Sequence, residues 1–206
     1  MNTKHEYRKH EKELYDPKNT PRSVDVPSLN YIAINGAGNP NTKEFSNKIE
    51  ALFTLAYTLK MLPRKGVNIK DYFDYTVYPL EGVWDLSKKG RLETQLNKDE
   101  LVYTIMLRQP SFMTEEFFNQ AVESALHKNS LVSQVYWYST LPSTCVQILH
   151  IGSFDSEPAS FSKIDSYCEL NGLKRQSHLH REIYLSDFRR TKPESLKTIL
   201  QIEVTF

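Results

Sequence analysis

At 206 residues, with 39% hydrophobic and 25% charged residues, the chain is long enough to bury its own core and has the composition of a globular protein. A formal charge of +1 gives no overall electrostatic footprint for nucleic acid, and no apolar run reaches the length of a membrane-spanning helix. The chain opens on polar and charged residues with no apolar leader, so the expected location is cytoplasmic, with no direct nucleic acid binding and no membrane association.

The first 23 residues read as a polar, lysine-rich arm anchored only by Tyr7 and Tyr15, followed by one domain over 24–206. Val24 to Val26 and Leu29 to Ile34 read as a β segment that stops at Asn35-Gly36-Ala37-Gly38, where glycine permits a turn. A helix follows, with Asn41 as the expected cap and Glu44 three residues on. Its apolar stripe is Phe45, Ile49, Leu52, Phe53, Ala56 and Leu59, and it ends before Pro63. Tyr72 to Asp85 has strand composition broken by Pro79, and Leu101 to Arg108 alternates as a strand. Thr114 caps a linking helix over about 114–128, with Glu115 and Glu116 at its positive end.

The pattern then restarts. Val132 to Ser139 and Cys145 to Ile151 read as strands, Ser156 and Pro158 begin a third helix, and Gly172 stops it. His180 to Ser186 and Leu196 to Phe206 complete the chain as strands. Strand, helix, strand, strand therefore occurs twice, within about 24–110 and 131–206. The expected fold is α+β: two such modules side by side, forming a curved antiparallel sheet with helices on one side and a ligand cleft between the halves.

Within His180 to Ser186, strand alternation puts Glu182, Tyr184 and Ser186 on one face and Ile183 and Leu185 on the other. A carboxylate beside a tyrosine on a half-buried sheet suits a flat or cationic ligand, and burial would shift its pKa. The alternative is an ordinary strand ending in a polar turn. Glu157 opens the third helix, where free amides favour a carboxylate, so it reads either as a general base or as a simple helix-terminal charge. His178-x-His180-x-Glu182 puts two imidazoles and a carboxyl on one strand face, but at a strand entrance solvated histidines rank ahead of metal ligands. Cys145 and Cys168 lack C-x-x-C spacing and read as buried free thiols, and Gly36-Ala37-Gly38 lacks the length and lysine of a phosphate loop.

Three stretches carry a family resemblance: Tyr78-Pro79-Leu80-Glu81-Gly82-Val83-Trp84, Met106-Leu107-Arg108-Gln109-Pro110, and Glu182-Ile183-Tyr184-Leu185-Ser186-Asp187 with Pro193 to Leu200 behind it. In this order, and with the helix Phe45 to Lys60, they resemble the stand-alone GyrI-like small-molecule-binding proteins. Relatives of that fold include effector domains of multidrug-responsive regulators, which bind planar, often cationic, aromatics in a cleft with a central glutamate. Some stand-alone members resemble hydrolases that open the cyclopropane of DNA-alkylating natural products of the yatakemycin type.

The resemblance implies that Glu182 is the central acid. It also implies an aromatic cage, for which Trp84, Tyr103, Trp137, Tyr138 and Tyr184 are the candidates, with Tyr136 beside them. Where the family's Glu-Gly-Leu-Trp-Trp is expected this chain has Glu81-Gly82-Val83-Trp84-Asp85, so one cage aromatic is missing or supplied elsewhere. The expected function is binding of planar or cationic aromatic xenobiotics, extended to metal-independent hydrolysis of cyclopropane-bearing ones. In that extension Glu157 activates water and Glu182 protonates the ligand carbonyl, with no cofactor. The alternatives are a drug-sequestering protein without catalysis and a topoisomerase-interacting protein, a gyrase partnership being suggested only by the family's name.

Overall fold

The computed structural model describes residues 4–206; Met1 to Thr3, the start of the expected arm, lie outside the described residues. Two four-residue helical turns, α1 (Tyr7–His10) and α2 (Lys12–Tyr15), precede strands β1 (Arg22–Val26) and β2 (Asn30–Ala37). Helix α3 (Lys43–Lys60) follows, then β3 (Leu80–Leu86), β4 (Leu101–Gln109), helix α4 (Glu115–Ala125) and β5 (Tyr136–Ser139). The chain continues as β6 (Ser143–Ile151), helix α5 (Glu157–Leu170), β7 (Lys174–Arg175), β8 (His180–Tyr184) and β9 (Lys197–Thr205). The fold is α+β with antiparallel strand pairing, and the strand-helix-strand-strand order recurs as β2-α3-β3-β4 and β6-α5-β8-β9.

The chain divides into two compact units that do not coincide with the sequence repeats. One holds residues 4–5, 29–78 and 85–140, the other 6–28, 79–84 and 141–206. In the first unit β2 pairs with both β4 and β5, and α3 packs on β2 and β4 with α4 beside it. Helix α3 buries Phe45, Ile49, Leu52, Leu55, Ala56 and Leu59, a helical stripe whose side chains each contribute roughly 1.5–3 kcal/mol when large and apolar. Thr42, and not Asn41, caps it by accepting from the Phe45 N–H, while α4 is capped by Thr114 as its sequence predicts.

Three further departures are local. Gly36 continues β2 instead of ending it: the Tyr103 ring crosses it, and a Cβ there would lie 2.3 Å from that ring. The turn falls to Gly38, whose φ is 89°. Of the apolar stretch 72–85 only Leu80–Leu86 forms a strand, since Pro79 cannot donate to a ladder, and Tyr75 makes just an isolated bridge to His5. Residues 130–134 form a 3₁₀ turn before β5, which shortens the strand expected from Val132.

In the second unit the strand order is β1-β6-β9-β8-β3, with β7 added on β9. Glu182 on β8 stands opposite Leu200 on β9, which stands opposite Ile148 on β6; one row along, Tyr184, Thr198 and His150 align in the same way. Residues in register across antiparallel strands share a face, so both rows point to one side of the sheet. Helix α5 covers that side, packing Ile164 and Cys168 onto Val146, Ile148, Leu200 and Ile202. Cys145 and Cys168 are both free and buried.

Candidate functional site

The covered side of the second unit becomes polar where α5 begins. Glu157 and Glu182 are 7% and 8% exposed, which is unusual enough for ionisable side chains to require a reason. Glu182 has a donor aimed at it, His180 Nε2 lying 3.1 Å from its Oε1, and its charge acts on the neighbouring Tyr184 hydroxyl. Trp84 on β3 completes the chain, its indole N–H donating to the Tyr184 oxygen at 2.8 Å. A phenol that accepts from the indole keeps its own proton to donate.

The glycine of the 81–85 motif is required by this arrangement. Gly82 stands opposite Glu182 in the β3–β8 register, and a Cβ on it would sit 2.5 Å from Trp84 Nε1 and 3.1 Å from the Tyr184 hydroxyl. Only glycine leaves room for the indole to lie back across its own strand.

Glu157 differs from Glu182 in having an oxygen, Oε1, that is buried without a hydrogen-bond partner. Burial pushes its pKa up to about 9, the charge of Glu182 adds to the rise, and Asp155 contributes least. The sequence suggests the reverse, because a helix N-terminus stabilises a carboxylate. That effect is worth roughly 0.3–1 kcal/mol at an exposed terminus, whereas full burial moves a carboxyl by up to about 3–5 pH units, so desolvation prevails. Glu157 is therefore the carboxyl that holds a proton at neutral pH. Tyr184 is raised well above the usual phenol value, by burial first and then by Glu182.

Aromatic side chains not singled out in the sequence meet residues of this site. Phe154, in the 3₁₀ turn before α5, and Phe188, in the turn after β8, meet the Tyr184 ring edge-on at centroid distances of 5.9 and 5.7 Å. Phe161 of α5 contacts the His180 ring at 5.0 Å. Asp85, standing where the family pattern carries an aromatic, is engaged by an ion pair with Arg91. His180 is part of the hydrogen-bonded group, while the exposed His178 takes no part in the contacts described.

Of the seven residues expected at the site, Glu157, Glu182, Trp84 and Tyr184 come together in this unit. Tyr103, Trp137 and Tyr138 belong to the other. There Tyr103 lies over Gly36 and edge-on to Phe45, Trp137 packs 6.0 Å from Phe118, and Tyr138 is 40% exposed beside Tyr31 and Tyr136. Among the described residues no group of three or more His, Cys, Asp or Glu is placed to hold a metal ion, and no helix is long and apolar enough to cross a membrane.

Residues 19–205 match the model of the GyrI-like small molecule binding domain. A search of curated proteins gave no match. Among solved structures, a hydrolase from Listeria innocua is similar at 33% identity and a TM-score of 0.88, over 98% of this chain and 100% of that one. An uncharacterized conserved protein from Listeria innocua is similar at 35% identity with the same TM-score and coverage. The C-terminal domain of EcmrR shares 10% identity and a TM-score of 0.53 over 90% of this chain and 97% of that one, a likeness of fold alone.

Proposed function

The chain belongs to the GyrI-like small molecule binding domain family, and from that premise we propose that its second unit hydrolyses aromatic xenobiotics carrying a strained cyclopropane conjugated to a carbonyl. The observation that carries the reading is the unequal pair of carboxyls. Glu157, buried and pushed up to about 9, retains a proton, while Glu182 has His180 Nε2 at 3.1 Å from its Oε1. A buried carboxyl that keeps its proton near a second one is suited to proton transfer at neutral pH. The 33% identical Listeria innocua hydrolase supports a hydrolytic activity.

The roles expected from the sequence are exchanged in this mechanism. Glu157 gives its proton to the ligand carbonyl oxygen as charge develops there. Water attacks the cyclopropane methylene, the strained C–C bond breaks, and its electron pair moves into the ring to form a phenol. The water proton passes to the Glu182 carboxylate, whose two oxygens accept more bonds than His180 supplies. Return of that proton to Glu157 resets the site, and the net change is addition of one water. Trp84 and Tyr184 offer flat faces for the ring, and Phe154 and Phe188 supply aromatic surface in place of the one absent at Asp85.

Incubation with a cyclopropane-bearing alkylator of the yatakemycin type, followed by mass spectrometry, tests the reading. Conversion to a product heavier by one water is expected. A ligand that binds but is recovered unchanged makes the protein a sequestering binder and removes the catalytic assignment.

A further inference from the structure

Helix α5 begins without an ordinary cap. Its N-cap residue Ser156 has helical backbone angles and makes no side-chain capping bond, and Pro158 in the first turn has no N–H to offer. The Ser156 hydroxyl turns back instead, donating to the Ser153 carbonyl at 2.7 Å and lying 3.2 Å from His150 Nε2. His150, buried on β6 in the row of Tyr184 and Thr198, makes two more contacts: Nε2 with the Ser153 carbonyl at 3.0 Å, and Nδ1 with Ser160 Oγ at 2.9 Å. A carbonyl only accepts, so Nε2 carries a proton there, and Nδ1 of a neutral ring takes the hydrogen of Ser160. The imidazole thus ties the loop before α5 and its first turn to the sheet, and the tie brackets Glu157 between Ser156 and Ser160.

Gly152 makes the tuck possible. Its φ is 142°, and a Cβ there would lie 2.8 Å from Ser156 Oγ and 3.4 Å from His150 Nε2. The need for such a tie lies in Glu157 itself. With Oε1 lacking a partner, the carboxyl gains little where it is and would swing to water if the turn loosened.

We propose that His150 is a positioning residue for Glu157: its ring fastens the first turn of α5 to β6, and this holds the Glu157 carboxyl in its buried place beside Glu182. The inference rests on the reading of Glu157 as the acid, but its test does not require turnover. The charged and titratable groups around Glu157 are Asp155 before the helix, Glu182 and Tyr184 on β8, and His150 on β6. Release of the tie returns Glu157 toward an ordinary carboxyl and leaves Glu182 and Tyr184, on β8, in place.

The experiment is carbon NMR titration of the Glu157 side-chain carboxyl, assigned by its absence in E157Q, in wild type, H150F and H150Q. Wild type titrates near 9, by the rise that burial and Glu182 impose. In H150F the midpoint drops by about one pH unit or more. H150Q, which keeps a donor for the Ser153 carbonyl, recovers part of the drop. Should H150F fail to fold, S160A cuts one arm of the tie and is expected to lower the midpoint by a smaller amount. An unmoved Glu157 midpoint in folded H150F, or in S160A where H150F does not fold, overturns the proposal, as does a wild-type midpoint near that of free glutamate. A moved midpoint without hydrolysis of the alkylator leaves His150 in its role and removes the catalytic reading; hydrolysis with an unmoved midpoint does the opposite.

Discussion

The indole N–H of Trp84 donates to the Tyr184 hydroxyl at 2.8 Å, joining residues 100 positions apart on neighbouring strands. Both partners are buried, so the bond governs how the phenol is oriented. Trp84→Phe keeps an aromatic ring but removes the donor. It is expected to cost about 1–2 kcal/mol in urea unfolding, and to loosen ligand binding, because the Tyr184 oxygen is left without its partner in a dry site. An unchanged midpoint of unfolding would mean that water replaces the indole.

Gly82→Ala tests the close approach behind that bond. The added Cβ meets the indole nitrogen at 2.5 Å, so either the ring or the strand must yield. The expected outcome is a loss of roughly 1–3 kcal/mol of stability and a shift of Trp84 fluorescence, measured with Trp137 replaced by phenylalanine to isolate the signal.

Glu157 makes a pH-dependent contribution whose sign follows from its raised pKa. The folded protein holds the Glu157 proton up to about 9, while the unfolded chain releases it near the usual glutamate value. Between those two pH values the native state binds more protons, so this group's contribution to stability falls as pH rises, by at most about 1.4 kcal/mol per pH unit, and levels off above the folded pKa. Glu157→Gln removes the dependence. Urea unfolding of the two proteins from pH 5 to pH 9 is expected to show the variant gaining on wild type across the range, and a constant difference would contradict a buried, protonated Glu157.

On the other side of the β3–β8 pair, Arg181 Nη1 reaches Glu81 Oε2 at 3.4 Å, with the Glu81 side chain only 1% exposed. Losing the guanidinium weakens the stabilisation of this buried carboxyl, so Arg181→Met is expected to cost about 1.5–3 kcal/mol. Replacing both, with Glu81→Leu added, should recover most of that loss in the same denaturation assay.

What the sequence discloses and what it hides follow from the range of the interactions. Alternation along His180 to Tyr184 puts Glu182 and Tyr184 on one face, and the structure keeps them there, because strand period is local and strict. The stripe of α3 and the Thr114 cap are local in the same sense. The protonated state of Glu157 is not, since it depends on burial against a strand some 25 residues away in sequence, and helix-terminus reasoning alone gives the opposite sign. Phe154 and Phe188 reach Tyr184 from two turns whose composition carries no such signal, although their presence near Pro158 and Asp187 marks both as loop aromatics. His180, read from sequence as a solvated approach to the strand, owes its bond with Glu182 to the shared face at spacing two.

The most direct test of the central claim, that Glu157 is the acid and Glu182 the base of a ring-opening hydrolysis, is the pH-rate profile for a cyclopropane-bearing alkylator in wild type, E157Q and E182Q, with binding measured alongside. Wild-type turnover is expected to fall as pH passes about 9, and each variant to lose about 10²–10⁴-fold in turnover while still binding the ligand. Turnover undiminished in folded E157Q, or a wild-type rate indifferent to pH across that midpoint, would contradict the claim.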